Sequence, residues 1–183
     1  MSTHHASESS AFAEIERCYN IQFDRRSSFS SDRVWQAITN PLDLSVWMAY
    51  PAEVDLRVGG KYFVDFGADS GENLDGVIVA LEPGKLLRYV WGLSTLEWRI
   101  ESESTATNGR GSGYRYTFLH HGMPVRGIAD EEGVAAGWHS WLDALEAHLS
   151  GMTRNKETDA AFCREISPHY RMAIEAEIGP LNR

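Results

Sequence analysis

Cysteine is scarce in this 183-residue chain: Cys18 and Cys163 stand far apart and in no metal-like spacing. That excludes a disulfide scaffold and a cysteine-based zinc site, and it reads as two thiols of a cytoplasmic protein. Basic residues are outnumbered, with 17 Lys and Arg against 26 Asp and Glu, for a net charge of −9. Such a chain lacks the basic face that a nucleic-acid backbone demands. No apolar run approaches the roughly 20 residues of a membrane span. The opening MSTHHASESS has neither a basic start nor an apolar segment, so it is read as a tail and not as a secretion signal. HExxH, GxSxG, a phosphate loop and a dinucleotide fingerprint are all missing. No metal and no cofactor is therefore implied.

What remains is a globular composition, 43% hydrophobic, in a chain long enough for one domain with appendages. Residues 1–14 form a tail, 15–151 a domain and 152–183 a helical appendage. The domain opens on CYNIQFDR (18–25), where Tyr19, Ile21 and Phe23 alternate with polar residues as in a half-buried strand. SSFSSDRVWQAI then offers Ser30 or Ser31 as a helix cap, and Asn40-Pro41 ends that helix and starts a second short one carrying Leu44, Trp47 and Met48. Period-two patterns follow: VDLRV (54–58), a Gly59-Gly60 turn, KYFVDF (61–66), a strand from Gly76 to the Pro83-Gly84 turn, LLRYVW (86–91), LEWRIES (96–102) and YRYTFLH (114–120). Consecutive antiparallel strands fit this spacing. A glycine-rich loop lies at 105–113. A long helix from about Asp130 to Ser150 places Val134, Trp138, Trp141, Leu142, Leu145 and Leu149 on one stripe, with His139, Asp143 and Glu146 opposite. Gly151 stops it. In the appendage, Ser167-Pro168 reads as the cap and first turn of a short helix bearing Tyr170, Ile174 and Ile178.

Several of these segments carry a family likeness. FSSDRVWQAIT (29–39) with Pro41 and Trp47, RVGGKYFV (57–64), GVIVALEPGKLLRYVW (76–91) and GWHSWLDALEAHL (137–149) resemble, in order and spacing, the Activator of Hsp90 ATPase homologue 1-like (AHSA1-like) group of the SRPBCC or START-like helix-grip superfamily, which includes Bet v 1 domains. The resemblance spans about residues 17–151. It implies an α+β helix-grip fold: a curved antiparallel sheet of six to seven strands wrapped around a long C-terminal helix, with two short helices after the first strand. It further implies a cavity between sheet and helix that holds a hydrophobic small molecule. Some relatives are enzymes, and the group's name implies a chaperone link and a stress response. The chain has no room for the separate N-terminal domain of the eukaryotic co-chaperones.

The aromatic supply fits a cavity, since large rings around a concave sheet leave gaps and their polar tips need partners. The expected helix wall is Trp138, Trp141, Leu142 and Leu145. The expected sheet wall is Tyr62, Phe66, Tyr89, Trp91, Trp98, Tyr116 and Phe118, with Trp47 and Met48 at the mouth. The bland alternative is that these rings fill the core. An enzyme of cyclase, dehydratase or hydrolase type using the same cavity would need an inward titratable group, for which a Tyr, His120 or His148 is available, so catalysis stays open. His139 and His148 are nine residues apart, about 900° around a helix, and cannot share a site. His139 is read as exposed. Asp65, Arg88, Arg99 and Arg115 are read as outward-facing, and no buried carboxylate–arginine pair is identified. The partner expected is a hydrophobic small molecule, with a homodimer or a chaperone contact as further readings.

Overall fold

The alternation of Ile21 and Phe23 builds β1 (Cys18–Ser27), which buries both side chains on one face. Residues 18–68, 73–103, 113–124, 133–154 and 156–178 are described in a computed structural model. The tail, residues 105–112 of the glycine-rich loop and the expected helix start at 130–132 lie outside them. After β1 the Ser30 hydroxyl accepts from the Arg33 backbone N–H and caps α1 (Ser31–Thr39). Asn40 caps α2 (Pro41–Trp47), with Pro41 in its first turn. Six strands follow: β2 (Ala52–Val54), β3 (Lys61–Val64), β4 (Leu74–Glu82), β5 (Leu86–Trp91), β6 (Ser94–Glu103) and β7 (Gly113–Pro124). They and β1 form one seven-stranded antiparallel sheet in the order β1-β7-β6-β5-β4-β3-β2. Two helices complete the chain, α3 (Val134–Leu149) and α4 (Lys156–Ile178).

Period two sorts the strands into faces. On β6, Leu96, Trp98 and Ile100 turn inward and are buried; across the ladder they meet Tyr89 and Leu87 on β5 and His120, Phe118 and Tyr116 on β7. α3 lays Trp138, Leu142, Leu145 and Leu149 on this face. α1 and α2 close one end, tied by the Tyr62 hydroxyl donating to the Ile38 carbonyl and the Trp47 indole N–H donating to the Ala37 carbonyl, both at 2.9 Å. Gly151 ends α3 with φ +75. The fold is the α+β arrangement expected.

Four local expectations are corrected. VDLRV is not a strand: pairing stops at Val54, and Leu56 and Val58 are exposed. The backbone there folds back on itself, with Arg57 N–H donating to the Asp55 carbonyl and Gly60 N–H to the Arg57 carbonyl. Gly60 is required, because a Cβ would stand 2.0 Å from the Asp55 carbonyl oxygen. Ser167-Pro168 does not start a helix; it lies inside α4, where the Ser167 hydroxyl donates to the Cys163 carbonyl. A solvated polar face on α3 is wrong as well, because α4 covers it: the His139 ring nitrogen lies 2.7 Å from the Tyr170 hydroxyl and its ring meets Phe162 edge-on. The fourth concerns the carboxylate–arginine pair that the sequence did not reveal, at Glu97 on β6. Glu97 is outward-facing yet has no exposed side-chain surface, since Arg88 and Arg99 fold over it and both bond its carboxylate. A buried carboxylate–arginine cluster therefore exists, on the side of the sheet away from α3. Among the described residues no helix is long and apolar enough to cross a membrane.

Candidate functional site between the sheet and the closing helix

The ring residues divide into two groups. The first fills space. Tyr62 and Tyr89 stack at 4.1 Å, Trp98 packs on Phe118 at 4.7 Å, and Tyr116 and Trp47 each lie just over 6 Å from Trp98. With Met48, Leu142 and Leu145 they are buried. Burial holds the Tyr62, Tyr89 and Tyr116 hydroxyls well above the usual phenol range, so they remain neutral.

The second group is a closed circuit of five rings. Phe66 faces Trp91 at 6.4 Å, Trp91 faces His120 at 6.0 Å, and His120 faces Trp138 at 6.2 Å. Trp138 meets Trp141 edge-on at 5.2 Å, and Trp141 stacks back on Phe66 at 5.5 Å, nearly parallel. Four elements supply these rings: Phe66 just after β3, Trp91 at the end of β5, His120 on β7, and Trp138 with Trp141 on α3. Tyr50 extends the circuit, edge-on to Phe66 at 5.2 Å. Trp91 is oriented by its indole N–H donating to the Asn73 carbonyl at 3.0 Å. Phe66, Trp91 and Trp141 are only half-buried, so the circuit sits at the edge of the core while the first group lies within it.

His120 is the polar member. Its side chain is 1% exposed, and its Nδ1 accepts the Trp138 indole N–H at 3.0 Å. That bond fixes the tautomer: in a neutral ring the proton sits on Nε2. Burial, with a smaller push from His121, lowers the imidazole from 6.5 to about 4, so it is neutral near pH 7. The Nε2–H has no protein partner, which makes it a buried donor on a ring that packs between Trp91 and Trp138.

The other histidines do different work. His148 does not reach the circuit. Its Nε2 lies 2.5 Å from Asp43 Oδ1 and 3.0 Å from an Arg33 nitrogen, and Arg33 also pairs with Asp43 at 3.0 Å. This cluster clamps the end of α3 to α1 and α2. His121 alternates to the opposite face from His120 and pairs in register with Thr95. Among the described residues no three His, Cys, Asp or Glu side chains are grouped to hold a metal ion. Three features escaped sequence reasoning: the closure of the ring circuit, the tautomer set by Trp138, and the wall that α4 adds beside α3. The first two depend on side-chain direction across four elements, which spacing along the chain does not encode.

The sequence profile described as Activator of Hsp90 ATPase homolog 1-like protein matches residues 28–150. A search of curated proteins finds no match. Among solved structures, CalU16 from Micromonospora echinospora is 22% identical over 82% of this chain and 86% of its own, with a TM-score of 0.57. EF2215 from Enterococcus faecalis, described as a conserved protein of unknown function, is 14% identical over 85% and 86%, with a TM-score of 0.65. DynU16, described as belonging to the dynemicin biosynthetic locus, is 22% identical over 73% of this chain and 48% of its own, with a TM-score of 0.55. At these identities the likeness concerns the fold.

Proposed function

Because the chain belongs to the Activator of Hsp90 ATPase homolog 1-like family, we propose that it binds a hydrophobic, aromatic small molecule between the sheet and α3, at the circuit of Phe66, Trp91, His120, Trp138 and Trp141. The observation that carries this reading is the unpartnered Nε2–H of His120. A buried donor without an acceptor costs about 1–3 kcal/mol, and a ligand carbonyl or ether oxygen would recover that cost. The rings supply flat apolar contact and His120 supplies direction, which is the usual division of labour in a small-molecule site. The remaining expected wall residues, Tyr62, Tyr89, Trp98, Tyr116, Phe118, Leu142, Leu145, Trp47 and Met48, are buried in the same core, and Phe118 meets the circuit at Trp138, 4.2 Å away. The likeness to DynU16 and CalU16 adds only that such folds occur in those proteins.

The cyclase, dehydratase or hydrolase reading uses the same donor. A neutral imidazole N–H that hydrogen-bonds a carbonyl also stabilises charge developing on that oxygen. It needs a base as well, and His148 is committed to Asp43 and Arg33. A chaperone-linked role would use exposed apolar surface. Among the described residues, large exposed apolar side chains are distributed over α2, the β2–β3 connection, β4, the β5–β6 turn, the α3–α4 connection and α4.

The test is titration with a hydroxyanthraquinone, a flat aromatic ketone. Tryptophan fluorescence should change saturably and thermal stability should rise. His120→Leu should weaken binding while preserving the fold. Binding that is unchanged in His120→Leu removes the proposed role of that donor, and no response to any flat aromatic ketone removes the binding reading.

A further inference from the structure

Gly137 sits inside α3, where glycine weakens a helix. No crowding explains it, since a Cβ built there meets no heavy atom within 4 Å. The space it leaves is part of a crevice of about 410 Å³ between the end of α2, α3 and α4. That volume is in the range of small-molecule sites. Gly137, Ser140 and Trp141 follow the three-and-four spacing of one stripe of α3, and all three line the crevice. Met48 and Tyr50 border it from one side, and Asp159 and Cys163 on α4 from the other.

Its chemistry is specific. Ser140 is 2% exposed, and its hydroxyl has no hydrogen-bond partner. A serine hydroxyl both donates and accepts, so it matches another hydroxyl. Asp159 is paired with Arg154 at 2.8 Å, which leaves the wall near neutrality and favours an uncharged guest. Trp141 and Met48 offer an aromatic face and a polarisable sulfur to a flat ring. We propose that this crevice is a second binding site, for a small aryl alcohol whose ring lies against Trp141 and Met48 and whose hydroxyl pairs with Ser140 Oγ. The outer wall belongs to α4, beyond the family match that ends at residue 150. The site is thus built jointly by the domain and its extension; it shares Trp141 and Tyr50 with the ring circuit but opens on the α4 side of α3, and His120 does not line it.

Cys163 makes the test direct. In a Cys18→Ser protein it is the one thiol left. 2-Naphthol, the probe, should slow maleimide labelling of Cys163 saturably. Gly137→Leu, which fills the crevice, should abolish that protection while circular dichroism stays unchanged. Ser140→Ala should raise the half-protecting concentration about 3- to 10-fold, the loss of one hydrogen bond. His120→Leu should leave protection intact, which separates this site from the one that uses the His120 donor. Should Gly137→Leu fail to fold, Gly137→Ala with Ser140→Ala decides: both must weaken protection. Absence of protection in the Cys18→Ser protein, or protection that survives crevice filling or vanishes in His120→Leu, overturns the proposal.

Discussion

The His120–Trp138 pair yields a prediction whose size follows from two atoms. In the native protein Nδ1 is matched and Nε2–H is not. His120→Leu removes the unmatched donor, a gain of about 1–3 kcal/mol, but strands the Trp138 indole N–H at a similar cost. Its net effect at neutral pH should be within about 1 kcal/mol of zero. Trp138→Phe leaves both ring nitrogens unmatched and loses ring volume, and should cost about 2–4 kcal/mol. In the His120→Leu background the same change removes a stranded donor, so it should cost at least about 1 kcal/mol less. Urea unfolding of the four proteins measures this coupling. pH gives an independent reading. The folded imidazole titrates at about 4 and the unfolded one at 6.5. Between those values the unfolded chain holds the extra proton, so stability falls as pH falls through the window and is fully present above it. From pH 8 to pH 5 the wild type should lose about 2 kcal/mol that His120→Leu does not lose. Comparing the two proteins cancels the shared contribution of Glu146, whose carboxyl burial pushes up. Additive single-mutant effects, or parallel pH curves for the wild type and His120→Leu, would refute the assignment of a neutral, half-matched imidazole.

Three further outcomes are expected. Gly137→Ala should stabilise the protein by about 1 kcal/mol through helix propensity alone, a rise of about 2–4 °C in Tm by calorimetry. Replacing Arg88 and Arg99 together by Met keeps the apolar cover over Glu97 but leaves its buried carboxylate without a cation, and should cost about 3–5 kcal/mol; Glu97→Gln, which releases two arginines that are already half-exposed, should cost far less in the same urea assay. Asp43→Ala removes the acceptor shared by Arg33 and His148 and should cost about 1–3 kcal/mol, with hydrogen exchange rising at the end of α3 where His148 is held.

The fold was legible because its signals are local and repeated. Leu96, Trp98 and Ile100 alternate over an uninterrupted strand, and Trp138, Leu142, Leu145 and Leu149 recur at helical spacing; each pattern has one burial solution. VDLRV misled because an alternating pentapeptide also suits an irregular turn, and backbone bonds at Asp55 and Arg57 decided the matter. The cover over His139 and the one over Glu97 escaped the sequence for a shared reason. A polar residue opposite an apolar stripe reads as solvated, yet α4 covers His139 and two arginine stems cover Glu97. The ring residues could be named from composition, but their division between packed core and edge circuit could not. Phe66 and Trp141 are 75 positions apart in sequence, and only the closed sheet brings them to 5.5 Å.

The treatment of buried polar tips separates construction from function. Where a large ring needs anchoring, the chain gives its polar tip a backbone carbonyl, Ala37 for Trp47 and Ile38 for Tyr62 in the core and Asn73 for Trp91 in the circuit. Other buried polar atoms without an aligned bond still have a polar neighbour, as Trp98 has Tyr89, Tyr116 has Glu146, and Asp159 has Arg154. Among the described residues, His120 Nε2, Ser140 Oγ and the Tyr19 hydroxyl lack even that in the contacts resolved. Tyr19 lies on the edge strand β1, at the margin of the core. The other two flank α3, one on its sheet side and one on its α4 side. A core selected for stability alone would place Ala at 140, at no loss of packing pattern, and would give both ring nitrogens at 120 a partner. Two donors without a protein partner on the two sides of one helix are a standing cost that a bound oxygen on each side would offset.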